Sequence, residues 1–170
     1  MRVKLQIATA GDVSDLVSLR TAVYQHLTSQ YGKGHWSSGS TEKGVLFAMR
    51  HSTVYVARSR NGPIAALTLS TKTLSANKPW AIDRKYFSAS KRSLYLTAMA
   101  VSPDDQRKGI GRLCINGARR IAGEWPSDAI RLDAYDAEAS AGEFYRKCGF
   151  REVGRATHRN VPSIYFEMLV

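Results

Sequence analysis

Two glycines among three cations mark the first place where this sequence could do chemistry. In "QRKGIGR", Gln106 to Arg112, Gly109 and Gly111 sit beside Arg107, Lys108 and Arg112, between the apolar run "LYLTAMAVSP" and the helical run "RLCINGARRIAGEW". The first turn of a helix leaves N–H groups unpaired and carries partial positive charge, and glycines let a ligand approach the backbone closely. Such a turn suits an anion, and a diphosphate would engage both the amides and the cations. The spacing is neither that of a nucleoside triphosphatase loop nor that of a dinucleotide fold. Downstream, "SAGEFYRKCGF" offers a phenol, Tyr145, on a helix of barely two turns. Its Ser140 and Glu143 fit an S-x-x-E capping box, and Gly149 fits a left-handed stop. Ala141, Phe144 and Cys148 form the expected buried stripe of that helix, and Tyr145 projects to its flank.

These groups need a scaffold, and the flanking patterns supply one. "VKLQIA" alternates like a strand, and Val13, Leu16, Val17, Val23, Tyr24 and Leu27 then recur on a helical stripe behind a candidate cap at Asp12. The polar stretch from His26 to Ser40 predicts a flexible loop, followed by a short helix from about Glu42 to Arg50. "TVYVARS" and "PIAALTLSTK" predict a β-hairpin. Residues 74–91 are too long and irregular for a simple turn. "SLYLTAMAV" is apolar throughout, which predicts burial on both faces. Leu113, Gly117 and Ile121, with Cys114, Ala118 and Ala122, form the apolar stripe of the helix after the glycine turn. A strand at "AIRLDAYD", the helix around Phe144, and strands near 150–158 and 163–169 complete an α/β (α+β) pattern.

"LTAMAVSPDDQRKGIGRLCINGARRIA" resembles motif A of the GNAT acyltransferase superfamily, with its [QR]-x-x-G-x-[GA] loop, and "FYRKCGF" resembles motif B. Order and spacing agree over essentially the whole chain, which is identified as one GNAT domain spanning residues 1–170. The resemblance implies a mixed, mostly antiparallel central sheet of about seven strands, flanked by helices and splayed at its fourth and fifth strands. It implies acetyl-CoA as co-substrate, with pantetheine along Met99, Ala100 and Val101 and the pyrophosphate on Gln106, Arg107, Lys108, Gly109, Ile110, Gly111 and Arg112. It also implies that Tyr145 protonates departing CoA, which predicts that an alkaline limb in the pH profile reports this tyrosine. In many members an Asn seven residues before that Tyr holds the cofactor, and here the position is Glu138.

Composition bounds the rest. A chain of 170 residues buries roughly 70% of its unfolded surface, enough for one core without metal or disulfide staples. No apolar run approaches the ~18 residues of a membrane span, and the N-terminus lacks the hydrophobic run of a secretory signal, so the expected location is cytoplasmic. Cys114 and Cys148 have no partners at ligand spacing, and no metal is expected. The net charge of +11 belongs to the first half, since Glu42 and Asp83 are the only acids between residues 16 and 103. That field favours anionic partners, but no Lys/Arg-rich block marks a nucleic-acid site.

The expected partner is therefore a small-molecule amine, bound in the family manner by the loops around Tyr31, Trp36 and Trp80, with Asp133 from the fifth strand. Acetylation of a protein N-terminus or lysine, an RNA-associated acceptor, and a non-catalytic acyl-CoA-binding module are the alternatives. The general base is not specified by the sequence. The expected state is monomer or homodimer.

Overall fold

The computed structural model describes residues 4–71, 84–158 and 160–170. Its strands are β1 (Leu5–Ile7), β2 (Thr53–Ser59), β3 (Gly62–Ser70), β4 (Ser93–Val101), β5 (Ala129–Tyr135), β6 (Arg151–His158) and β7 (Val161–Leu169). The helices are α1 (Val13–Tyr31), α2 (Glu42–His51), α3 (Ile110–Glu124) and α4 (Gly142–Lys147). The strands form one seven-stranded mixed sheet of order β1-β2-β3-β4-β5-β7-β6. Its parallel pair is β4–β5, in register at Ser93↔Ala129, Leu94↔Ile130 and Tyr95↔Arg131. The chain divides into two compact units: the described residues up to Leu69 with Ala98–Ala118, and Ser70–Thr97 with the described residues from Arg119 onward.

In the first unit, α1 and α2 cover β2 and β3. Leu16, Leu19 and Val45 pack with Val54, Val56 and Ala66, and Val17, Ala48 and Met49 close the cluster. Asp12 precedes α1 but does not cap it with its side chain. Its carboxylate instead accepts from the Thr9 N–H at 2.7 Å and from Arg58 Nη2 at 2.5 Å, and the Thr9 bond above all holds its pKa below the ordinary value. α1 runs on to Tyr31 and stops at Gly32, whose φ of 76° no β-carbon residue adopts cheaply. The sequence predicts a loop from His26; instead the six residues His26 to Tyr31 continue α1, with His26, Leu27 and Thr28 half-buried and Ser29, Gln30 and Tyr31 exposed. The segment after Gly32 is internally bonded: Thr28 Oγ1 meets Ser37 Oγ at 2.8 Å, and Gly34 N–H donates to Ser37 Oγ at 3.0 Å. Thr41 caps α2 by accepting from the Gly44 N–H at 3.1 Å.

α3 buries Ile110, Cys114, Ile115, Ala118, Ile121 and Ala122, while Leu113 is 39% exposed, so the stripe is rotated toward Ile115 relative to the sequence pattern. Gly117 stays on the packed side because Leu5 lies against it: a β-carbon there would sit 2.7 Å from Leu5 Cδ1. Burial pushes the Cys114 thiol up to about 11, which leaves it inert at neutral pH.

The second unit is built on β5, β7 and β6, antiparallel from Ala129↔Leu169 to Tyr135↔Ser163 and from Arg151↔Glu167 to His158↔Val161. Residues 84–91 are pinned to this sheet. Tyr86 and Phe87 lie 5.3 and 6.1 Å from the Tyr165 ring, and the Tyr86 ring fills the place where a β-carbon on Gly154 would stand. Residues 74–83 of that irregular stretch, Trp80 included, lie outside the described residues. β4 is not buried on both faces as its apolar sequence predicts. Leu94, Leu96 and Ala100 are buried while Tyr95, Thr97, Met99 and Val101 stay half-exposed, so the two sides of the strand differ in burial. No helix among the described residues is long and apolar enough to cross a membrane.

Candidate active site

The first unit carries one group of candidate residues. Ala98, in β4, has φ 49°, a left-handed conformation that costs a non-glycine residue of order 1–3 kcal/mol. After Ala98 come Met99, Ala100 and Val101. The strand end is braced twice. Ser102 N–H donates to Ile64 O at 2.8 Å, and Gln106 Nε2 donates to Val101 O at 3.1 Å. The Gln106 side chain thus ties the loop to the strand.

The loop then turns through two left-handed residues, Arg107 (φ 60°) and Gly109 (φ 81°). Arg107, Lys108, Gly109 and Arg112 line the surface of this turn, whereas Ile110 anchors the helix start in the core. The first helical bond runs from Leu113 N–H to Gly109 O at 3.1 Å, so the N–H groups before it have no acceptor within α3. Nothing lies within 4 Å of the place a Gly109 β-carbon would occupy. This glycine is there for its φ and for open approach. Turned amides, a helix N-terminus and cations fit a diphosphate. Lys108 is drawn toward Asp105 at 3.2 Å, which moderates its charge.

The second unit carries a separate group of candidate residues, centred on Tyr145. Helix α4 ends in a Schellman-type turn: Phe150 N–H donates to Tyr145 O at 3.1 Å, Gly149 N–H to Arg146 O at 3.0 Å, and Gly149 has φ 96°. The expected capping box is absent. Ser140 Oγ accepts from Gly142 N–H at 3.0 Å, and Glu143 pairs instead with Arg146 and Lys147. The helix therefore begins at Gly142, whose missing side chain admits Phe166; a β-carbon would lie 3.3 Å from its Cζ. This start rotates the buried side. Tyr145 is only 7% exposed, with ring centroids of Phe144, Phe150 and Phe166 at 5.3, 5.6 and 5.9 Å, while Ala141 is exposed and Phe144 and Cys148 are half-buried.

Burial, then the Asp133 carboxylate and Cys148, push the Tyr145 phenol well above its ordinary value. Asp133 stands on β5, in register with Tyr165. Solvent reaches its side chain, yet the surrounding protein raises its pKa by desolvation, as in a concave site. The structure thus brings Asp133 and Tyr145 together. Tyr31 is 44% exposed at the end of α1. Trp36 donates its Nε1–H to Gly32 O at 3.0 Å and lays its ring on Gly34, so it is tied into its own loop. Glu138 is exposed.

Residues 50–152 match the acetyltransferase (GNAT) domain. The chain belongs to the GNAT acetyltransferase family. It is an acyltransferase by that membership. Solved GNAT-family folds superpose along nearly the entire chain. An acetyltransferase of the GNAT family from Listeria monocytogenes has a TM-score of 0.74 at 15% identity, covering 99% of this chain and 95% of that one. The ribosomal-protein-S18-alanine N-acetyltransferase of Escherichia coli gives 0.71 at 14%, with coverages of 99% and 94%. The spermidine N-acetyltransferase of Vibrio cholerae, solved with CoA and spermine, gives 0.69 at 16%, with coverages of 99% and 95%. At such identities these GNAT likenesses concern the fold. No curated protein matches the sequence significantly.

The motif signals located the glycine turn before α3 and the short helix that carries Tyr145. Two charged groups escaped them. Arg131, Glu167 and Ser88 form a buried network, and Arg20 is a cation inside the apolar stripe of α1. The available signal was the same for each: a charge interrupting an otherwise apolar element.

Proposed function

We propose that this protein is an acetyl-CoA-dependent N-acetyltransferase acting on a primary amine of a small metabolite, by direct attack within a ternary complex. The observation that carries the reading is the paired left-handed turn at Arg107 and Gly109, which opens the cationic start of α3 to an anion. In this reading the loop amides, with Arg107, Lys108 and Arg112, bind the diphosphate. The half-exposed side of β4 from Met99 to Val101 receives the pantetheine arm, and its amides after the left-handed Ala98 orient the acyl carbonyl and stabilise charge on its oxygen. When bound, acetyl-CoA supplies an acyl group activated as a thioester.

Tyr145 is the proton donor for the departing thiolate. Its raised pKa keeps the phenol protonated through the neutral and mildly alkaline range, so it holds its proton until negative charge develops beside it. The desolvated Asp133 carboxylate is the group nearest in chemistry to a base for the incoming ammonium.

The test is a thermal shift with acetyl-CoA followed by thiol release with an amine panel that includes a peptide with a free N-terminal alanine. At a hundred times its dissociation constant a ligand adds ~2.7 kcal/mol, which for a chain of this length means roughly 5 to 10 °C. The expected result is a shift of that order and thiol release with small amines. A folded protein that does not shift at millimolar acetyl-CoA would refute the reading, and release with the peptide alone would move the acceptor to proteins.

A further inference from the structure

Along part of α1, polar residues take a spacing that amphipathic helices usually give to apolar ones. Thr21, Tyr24, Gln25 and Thr28 fall at i, i+3, i+4 and i+7, which places them on one flank of the helix, beside the stripe that carries Leu16 and Leu19 into the core. After α1 the chain turns at Gly32 and returns past this flank. Between the two runs lies a recess of about 410 Å³, whose lining is completed by Ser29 of α1 and by Ser37 and Gly39 of the returning segment. Thr21, Tyr24 and Thr28 are half-buried and Gln25 is exposed, so the recess is reached from solvent.

The returning segment is held in place by its own bonds. Thr28 Oγ1 meets Ser37 Oγ at 2.8 Å across the recess wall, Gly34 N–H donates to the same Ser37 Oγ at 3.0 Å, and Trp36 Nε1–H donates to Gly32 O at 3.0 Å. Ser29 Oγ is engaged with His26 O at 2.8 Å. The recess is therefore formed before any ligand arrives, and its volume falls within the roughly 300–1,000 Å³ of small-molecule sites. On the α1 side the Thr21 hydroxyl, the Tyr24 phenol and the Gln25 amide make no hydrogen bond to another described residue.

The lining selects among guests. It carries no charged side chain, so an anion or a cation would give up its hydration there without a counter-charge. A wholly apolar guest would strand the polar groups of Thr21, Tyr24 and Gln25. Hydroxyls and an amide both donate and accept, and the Tyr24 ring and the threonine methyls add apolar surface between them. A ring with hydroxyls on its edge and C–H groups on its faces matches both properties. We propose that this recess is a binding site for one neutral, polyhydroxylated ring, the chemistry of a monosaccharide unit. The site stands independently of the acetyl-transfer reading, because it needs neither CoA nor an amine.

Saturation-transfer NMR followed by calorimetric titration of the whole chain tests it. The probes are methyl glucoside, methyl N-acetylglucosaminide and myo-inositol, set against glucose 6-phosphate and cyclohexanol, which add a charge or remove all hydroxyls but one. At least one neutral polyol should bind in the millimolar range or tighter, and the two comparison compounds at least about tenfold more weakly, the worth of one or two hydrogen bonds. Thr21→Val with Gln25→Leu keeps the volume and removes two of the polar groups; binding should fall by about tenfold or more while Tm stays near that of the wild type. If the double variant failed to fold, Gln25→Leu alone, at an exposed position, makes the same comparison. Three results would overturn the proposal: no saturation transfer to any neutral polyol at millimolar concentration, glucose 6-phosphate or cyclohexanol binding as well as the polyols, or undiminished polyol binding in the folded variant.

Discussion

Arg131 and Glu167 face each other across the β5–β7 register and are bonded Nε to Oε2 at 2.8 Å, with side chains 5% and 1% exposed. The pair is saturated. Glu167 also accepts from Ser88 N–H at 3.1 Å and Ser88 Oγ at 3.0 Å, while Arg131 Nη2 donates to Ser88 O at 2.9 Å and its guanidinium lies 4.7 Å from the Phe87 ring centroid. This network fastens the segment before β4 to the second unit. Glu167→Ala leaves the Arg131 charge uncompensated, and the expected loss is about 3–5 kcal/mol by urea unfolding. The double variant Arg131→Met with Glu167→Leu should recover most of that. If the single variant lost less than about 1 kcal/mol, the value of an exposed pair, the network would not be an anchor.

Tyr145→Phe keeps the packing against Phe144, Phe150 and Phe166 but removes the proton. Acetyl-CoA affinity should hold within a few fold, and saturating turnover should fall by about 10², the low end for a general acid, because water can substitute. Rates of wild type and variant, with separate CoA binding, check this. Equal rates would make Tyr145 a packing residue.

The same tyrosine revises the pH expectation. Since burial and Asp133 raise its pKa, it does not titrate between about pH 6 and 10, and an alkaline limb in that range belongs to another group and survives in Tyr145→Phe. The raised value also has a sign for stability. Above the unfolded value of about 10 the unfolded chain releases this proton first, so stability falls as pH rises from there. Denaturation at about pH 9 and 11 should show a smaller alkaline loss in the Phe variant.

Gly109→Val places a β-branched residue at φ 81°, where strain costs about 1–3 kcal/mol, in space that is otherwise open. On the proposed function the new side chain stands where the diphosphate would approach, so acetyl-CoA binding should weaken at least tenfold, about 1.4 kcal/mol. Gly111 lies within α3, so Gly111→Val lacks the φ penalty and should retain more stability while also weakening CoA. Calorimetric titration of both variants decides. Normal CoA binding in both would reduce the loop to a turn.

Glu152 accepts from Arg155 Nε at 2.6 Å and from Arg146 Nη2 at 2.5 Å, and these bonds hold its carboxyl at about 2. A lowered pKa gives stability that is present above the unfolded value of about 4.5 and lost as pH falls through the folded one. Glu152→Gln should therefore narrow the gap to wild type between about pH 5 and 2, with a small effect overall because the partners are solvated. An unchanged gap in acid unfolding curves would show the cluster to be unimportant.

The sequence by itself determined what depends on neighbours along the chain. Alternation and helical spacing determine the elements, and the glycines determine the left-handed turn that leads into α3, because Gly109 and the start of α3 are adjacent in sequence. Gly149 sets the end of α4 for the same reason. Only tertiary structure decided which side of a short helix is buried. Gly142 admits Phe166 from β7, and that contact turned Tyr145 inward against the local pattern. It also decided how buried charges are treated. Arg131 finds Glu167 on another strand and is satisfied, whereas Nε and Nη2 of Arg20 meet no acceptor among the described residues. Each reads in the sequence as one cation in an apolar run. That difference lies in partners far away along the chain, which spacing cannot reveal.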